Sequence, residues 1–268
     1  MRSARLLFPD LRADPDGSFQ HQEARIRLCL GLGVGGFILF GGKAAAVTEL
    51  TRRLRAESPH PILVGADLER GAGQQFSGLT SLPPLSALGA LDDMEVVYEA
   101  GRLTAAEARS VGVDWVYAPV ADLSVEPDNP IVGTRSFGPH PSAVARQVTA
   151  WIFGCRAGGA LSCVKHFPGH GRTTTDSHLA LPTVRAPKRS LAQDLAPFAA
   201  AVEAGVPTVM TAHVAYPALD ASGVPATLSS RILGDLLRRQ LGFDGLVVSD
   251  AMNMGGVADA AGGRVAGI

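Results

Sequence analysis

Leu161-Ser162-Cys163-Val164-Lys165-His166-Phe167-Pro168-Gly169-His170-Gly171 starts as an apolar, strand-like run and opens directly on titratable side chains, continued by Asp176-Ser177-His178. Few structural reasons crowd one Lys, three His and one Asp around two glycines and a proline in a chain that is 46% hydrophobic. The segment is therefore read as an active-site loop at the end of a strand.

The same arrangement recurs along the chain. Short β-like runs are expected at residues 5–8, 36–40, 62–66, 115–119, 161–164, 208–211 and 246–249, separated by helical patterns near 20–32, 43–57, 92–111, 141–157, 190–204 and 229–241. Ser190 opens Ser-Leu-Ala-Gln, a weak capping box for the helix that begins there. Alternation of this kind predicts a parallel sheet covered by helices. The residues just beyond the strands are more specific: Asp67 after the third, Asp122 after the fourth, Lys165 and His166 after the fifth, His213 after the sixth and Asp250 after the seventh. In a barrel the C-terminal strand ends converge on one face, whereas a doubly wound sheet gathers its ligands at one switch point. The expectation is an α/β fold, a (β/α)8 TIM-type barrel truncated at the C-terminus after strand 7, forming a single catalytic domain over residues 1–268. The long irregular stretches 71–85 and 126–141 are expected to cover the substrate end.

Composition narrows the function. The chain has 268 residues, with 24 Lys+Arg against 25 Asp+Glu and a formal charge of -1. No global charge draws it to nucleic acid or to anionic lipid. Cys29, Cys155 and Cys163 form no C-x-x-C and read as buried thiols in a reducing compartment. The apolar run near the N-terminus is too short for a signal peptide, and no run reaches membrane-span length. A cytoplasmic protein is expected, with no membrane or nucleic-acid partner; composition leaves its oligomeric state open.

Gly31-Leu32-Gly33-Val34-Gly35-Gly36 matches the dinucleotide fingerprint G-x-G-x-x-G, but it closes a helix and leads into a strand. That inverted context cannot place a pyrophosphate on a helix N-terminus, so a tight helix-to-strand turn is expected and no cofactor. His166, His170 and His178 with Asp176 also suit a metal ion. Pro168-Gly169 works against a shared helix face, and Lys165 adds positive charge, so metal-free acid/base chemistry is preferred. Asp176 and His178, one residue apart, can point the same way, the carboxylate fixing the imidazole tautomer as in a hydrolase triad. Asp250, at the end of Gly245-Leu246-Val247-Val248-Ser249, is placed as a nucleophile or as a helix N-cap.

Together these residues resemble glycoside hydrolase family 3. The resemblance rests on Lys165-His166-Phe167-Pro168-Gly169-His170-Gly171 with Asp176-Ser177-His178, and on Ser249-Asp250-x-Met252-x-Met254. Gly35-Gly36-Phe37-Ile38-Leu39-Phe40, Asn129-Pro130, Gly133-Thr134-Arg135-Ser136-Phe137-Gly138 and Thr211-Ala212-His213-Val214-x-Tyr216-Pro217 occur in the expected order. The Asp-Ser-His loop is similar to that of the bacterial β-N-acetylglucosaminidases of peptidoglycan recycling. The resemblance implies a retaining, exo-acting β-N-acetylhexosaminidase acting on a small carbohydrate. Asp250 would be the nucleophile, His178 with Asp176 the acid/base, and Asp67, Arg135, Lys165, His166 and His213 the substrate-binding residues, with no metal. In two places the chain departs from the family. The usual Asp-x-Glu-Gly-Gly-Arg reads Asp67-Leu68-Glu69-Arg70-Gly71-Ala72-Gly73, and the sequence ends 18 residues after Asp250. A β-glucosidase of the same family, a metal-dependent barrel hydrolase and a catalytically silent sugar-binding fragment are the alternatives.

Overall fold

A computed structural model describes residues 3–177 and 179–258. Among these the chain forms two compact units. The first gathers the chain up to Pro83 with Tyr98–Ala118 and Phe153–Ser162, and the second Pro84–Val97, Pro119–Ile152 and the chain from Cys163. All seven strands are parallel, and their order in the sheet follows their order in the chain. No strand order reverses, so the doubly wound switch point is absent among the described strands.

The first unit contains β1 (Asp10–Arg12), β2 (Gly36–Phe40), β3 (Leu63–Ala66), β4 (Trp115–Val116) and the first residues of β5 (Leu161–Phe167), which pair with β4. Between β1 and β2, α1 (Glu23–Leu32) ends on Gly33 at φ +74°, whose N–H bonds the Cys29 and Leu30 carbonyls. The glycine-rich run is thus a helix stop leading into a strand, as its context predicts. A Cβ at Gly36 would overlap the Leu63 carbonyl oxygen, so β2 and β3 approach through a glycine. Between β2 and β3, α2 (Ala44–Glu57) buries Val47, Leu50, Thr51 and Leu54, a stripe at helical spacing. Its Thr51 hydroxyl donates to the Val111 carbonyl at 2.8 Å. Phe8, Trp115 and Tyr117 pack edge to face inside this unit.

The second unit continues β5 from Cys163 and adds β6 (Thr208–Thr211) and β7 (Leu246–Ser249). Its helices include α3 (Leu85–Leu91), α6 (Lys188–Glu203) and a π-helical segment, Arg231–Gln240, while α4 (Met94–Ser110) and α5 (Pro141–Ala157) contribute residues to both units. From α6, Phe198 packs edge to face on Phe167 with ring centroids 5.5 Å apart.

Several expectations shift for identifiable reasons. Residues 5–8 are not a strand: Ser3–Leu6 is a 3₁₀ turn with Leu6 exposed, and β1 begins after Pro9, which has no N–H to give a ladder. The single helix expected near 92–111 is two, α3 and α4. Asp92 ends α3 in the left-handed region at φ +49°, and the Asp93 carboxylate accepts the N–H of Glu95 at 2.9 Å to start α4. Ser190 caps nothing, because α6 already starts at Lys188 behind Pro187. β5 is longer than expected, so Lys165 and His166 lie inside the strand. Of the tail 255–268, residues beyond 258 lie outside the described residues.

Gly36→Ala tests the close approach of β2 and β3. The added methyl is expected to cost about 3 kcal/mol through overpacking, read as a lowered urea midpoint at unchanged m-value. An unchanged midpoint would contradict the packing.

Candidate active site

β5 delivers the loop that the sequence singles out. Its residues Ser162–Phe167 are buried, and its last turns are fixed from below: Lys165 donates its N–H to the Pro119 carbonyl at 3.2 Å and accepts from Ala121 N–H at 2.7 Å. These bonds bring Asp122, fully buried, under the strand end. Its carboxylate accepts the His170 N–H at 2.6 Å, the His166 N–H at 3.3 Å and the His166 ring through Nδ1 at 2.7 Å. Burial pushes the Asp122 carboxyl up, but the charge and hydrogen bond of His166, with the His170 N–H, outweigh it and hold the group below the ordinary carboxylate value. A carboxylate only accepts, so Nδ1 of His166 carries the hydrogen in this pair. Its Nε2 then faces Arg135 Nη2 at 3.5 Å.

Arg135 closes a short turn, Gly133–Arg135, and its Nη1 donates to the Ile131 carbonyl at 3.2 Å. Asn129 joins this turn to the histidine loop. Its Oδ1 accepts the N–H groups of Ile131 and Val132, and its Nδ2 donates to the His170 carbonyl at 2.9 Å and Thr173 Oγ1 at 3.2 Å. His170 is locked further: Nδ1 meets Thr173 Oγ1 at 2.8 Å and Nε2 meets Ser177 Oγ at 3.1 Å. Burial, reinforced by His166, pushes its ring down to about 4 against the pull of Asp122, so it is a neutral spacer. Tyr216, fully buried, donates its hydroxyl to the Gly169 carbonyl at 2.8 Å and pins the turn between the two histidines.

Asp250 follows β7 and is half-buried. Surrounding protein raises its carboxyl, but interaction with His166, the Ala251 N–H at 2.7 Å, the Lys165 ammonium and His213 together outweigh that and lower it, leaving an anion at neutral pH. Electrostatics thus couples Asp250, His166, Lys165 and His213 within the second unit. His213 follows β6 with Nδ1 at 2.8 Å from Thr227 Oγ1 and Nε2 at 3.1 Å from the Ala251 carbonyl. Burial lowers its ring pKa, opposed by Asp250.

The remaining expected residues are placed less completely. Asp67 directly follows β3 in the first unit and is half-buried. Asp176 is half-buried and its carbonyl accepts the N–H groups of Leu179 and Ala180. His178 lies outside the described residues. Among the described residues, no three or more His, Cys, Asp or Glu side chains are grouped to hold a metal ion.

Sequence reading missed the roles of Asn129, Thr173 and Ser177, and placed Asp122 only as a strand-end residue. The hydroxyls flanking Asp176 were the available signal, since Thr173 and Ser177 are the groups that clamp His170.

The anionic carboxylate after β7, buried Lys165 and His166 near the end of β5 and the Arg135 guanidinium 3.5 Å from the His166 ring gather charged and polar groups in the second unit. Comparison with known proteins gives the class. The sequence profile of the glycosyl hydrolase family 3 N terminal domain matches residues 10–267. A Thiobacillus denitrificans protein named beta-hexosaminidase is 41% identical over 240 residues, 85% of this chain and 66% of its own length. A solved glycoside hydrolase family 3 beta-N-acetylglucosaminidase from Paenibacillus sp. str. FPU-7 superposes with TM-score 0.87 at 37% identity, over 96% of this chain and 49% of that one. A beta-glucoside phosphorylase bound to 2FGlc superposes with TM-score 0.89 at 28% identity, over 96% and 47%. The chain belongs to glycosyl hydrolase family 3. It spans about two thirds of the Thiobacillus relative and about half of each of the two solved chains.

Acid should unfold this site in a defined window. The unfolded chain takes up a proton at His170 near pH 6.5 that the folded chain refuses until about 4. Stability therefore rises with pH across that window and is fully present above it, a span worth about 3 kcal/mol. In urea titrations between pH 4 and 7, His170→Asn is expected to flatten the slope. His213, Asp122 and Asp250, all with lowered pKa values, keep part of the slope with the same sign, and Asp194, whose carboxyl burial raises, opposes it. An unchanged slope would contradict the buried neutral state of His170.

Proposed function

We propose that this chain carries the catalytic site of a retaining, exo-acting β-N-acetylhexosaminidase that removes terminal β-linked N-acetylglucosamine through a covalent glycosyl-enzyme. The observation that carries the reading is Asp250: a carboxylate directly after β7 whose Oδ1 takes the Ala251 N–H at 2.7 Å and whose pKa lies below the ordinary value. In the first step the Asp250 carboxylate attacks the anomeric carbon. The bond to the aglycone breaks with its electron pair on the leaving oxygen, which takes a proton from His178 held by Asp176. In the second step His178 removes a proton from water, the water oxygen bonds the anomeric carbon, and the Asp250 carboxylate is released. Arg135, Lys165 and His166 are assigned to the sugar hydroxyls, where charge-assisted hydrogen bonds grip strongly in a water-poor site. Asp67 is assigned there on the family resemblance.

The same reading takes the in-order parallel strands as seven of a (β/α)8 barrel in one catalytic domain, supported by their sequential order and by the family profile. A cytoplasmic place and cell-wall fragments as substrate are supported by the buried positions of Cys29, Cys155 and Cys163 and by the Asp-Ser-His loop. Among the described residues no helix is long and apolar enough to cross a membrane.

The test is a pair of rate series over leaving-group pKa with aryl β-N-acetylglucosaminides, using the complete protein. Asp250→Ala should lose several orders of magnitude on every substrate. His178→Ala should lose most on poor leaving groups and regain part of its rate with azide. Flat, identical losses would remove His178 from the acid/base role, and an active Asp250→Ala would remove the retaining mechanism. A second reading, phosphorolysis of a glucoside, is favoured by the likeness to the solved phosphorylase. Faster turnover of an aryl glucoside with added phosphate would select it.

A further inference from the structure

The ends of β6 and β7 are level: Thr211, the last residue of one, pairs with Ser249, the last of the other. Two residues beyond each stand His213 and Ala251. A side chain spans this step, because His213 Nε2 lies 3.1 Å from the Ala251 carbonyl. A carbonyl only accepts, so Nε2 carries the hydrogen. Nδ1 then faces Thr227 Oγ1 at 2.8 Å, a hydroxyl whose one hydrogen lies within reach of both this nitrogen and the Ala212 carbonyl at 3.0 Å, with Thr211 Oγ1 2.9 Å behind it. Thr227 is brought there because the chain returns alongside the β6 exit, with Ala226 N–H bonded to the Val214 carbonyl. Beyond the hooked carbonyl, the Ala251 N–H donates to Asp250 Oδ1 at 2.7 Å. His213 is 1% exposed with both ring nitrogens engaged.

We propose that His213 is a positioning residue for Asp250: held by Thr227, it hooks the carbonyl of the Ala251–Met252 peptide, fixing the Ala251 backbone and through it the preceding peptide, whose N–H meets Oδ1 and leaves Oδ2 to attack the anomeric carbon. The inference rests on Asp250 being the nucleophile. A ring that bound the sugar would have to release one of its two protein partners. As a hook, it fixes a carboxylate that leans on the backbone N–H of the next residue, and a reacting group displaced by an ångström loses much of its rate.

The complete protein, assayed with an aryl β-N-acetylglucosaminide, separates positioning from sugar binding. His213→Asn places its amide near Nδ1 and cannot reach Ala251, so kcat is expected to fall about 30-fold, with KM and inhibition by free N-acetylglucosamine changed less than about threefold. His213→Gln carries an amide nitrogen to the Nε2 position and should recover most of kcat. Thr227→Val should lower kcat in the same direction by less. A KM or inhibition constant raised about tenfold or more with kcat retained would make His213 a sugar ligand and overturn the inference. Equal kcat values in the Asn and Gln variants would overturn it as well. The Asn and Gln pair decides the matter even where His213→Ala does not fold. An active Asp250→Ala would topple the nucleophile assignment itself, whereas an inactive Asp250→Ala with an indifferent His213→Asn would topple only the hook.

Discussion

The site depends on one buried carboxylate. Asp122 has no exposed surface, and it accepts two backbone N–H groups and one ring N–H from a strand end 44 to 48 residues further along the chain. Surface pairs of this protein, such as Arg52 with Glu49, are solvated on both sides and contribute little. A buried charge behaves differently, because a lost partner leaves it unsolvated at a cost of about 3 to 5 kcal/mol. The Asp122 contacts therefore act together: the path of β5 out of the core, the ring of His166 and the turn at Gly169 are held as one arrangement.

That arrangement gives two neighbouring histidines opposite tasks. His166 donates from Nδ1 to Asp122 and turns Nε2 toward Arg135. His170 shares the carboxylate only through its backbone, and its ring is consumed by Thr173 and Ser177. Because Ser177 lies between Asp176 and His178 in the chain, the neutral ring of His170 anchors the segment that carries the proposed acid/base. Asn129 then ties the same loop to the Arg135 turn. Groups from two loops, among them the proposed sugar-binding residues, are thus referred to one buried point, which is the kind of supporting shell that precise placement needs.

Much of this could be read from residues alone. β2, β6 and β7 have the expected bounds, because each is a short apolar run between breakers, and α5 spans the expected 141–157. The errors fall where local and tertiary signals disagree. Residues 5–8 look like a strand, yet the ladder waits for Asp10 because Pro9 cannot donate. The adjacent Asp92 and Asp93 break a helical pattern through cap geometry that periodicity does not see. In the site, Lys165, His166 and Asp250 announce themselves by charge next to apolar runs. Asn129, Thr173 and Ser177 do not, since their work depends on partners brought near by the turn at Gly169 and on the long-range tether at Asp122.

The tether can be measured directly. Asp122→Asn keeps the shape and removes the charge, and its amide nitrogen cannot accept where a carboxylate oxygen accepted. If the buried carboxylate organises the site, the unfolding free energy of this variant at pH 7 will fall by about 1 to 3 kcal/mol relative to the parent protein. A loss below about 0.5 kcal/mol, the range of ordinary surface substitutions, would contradict it.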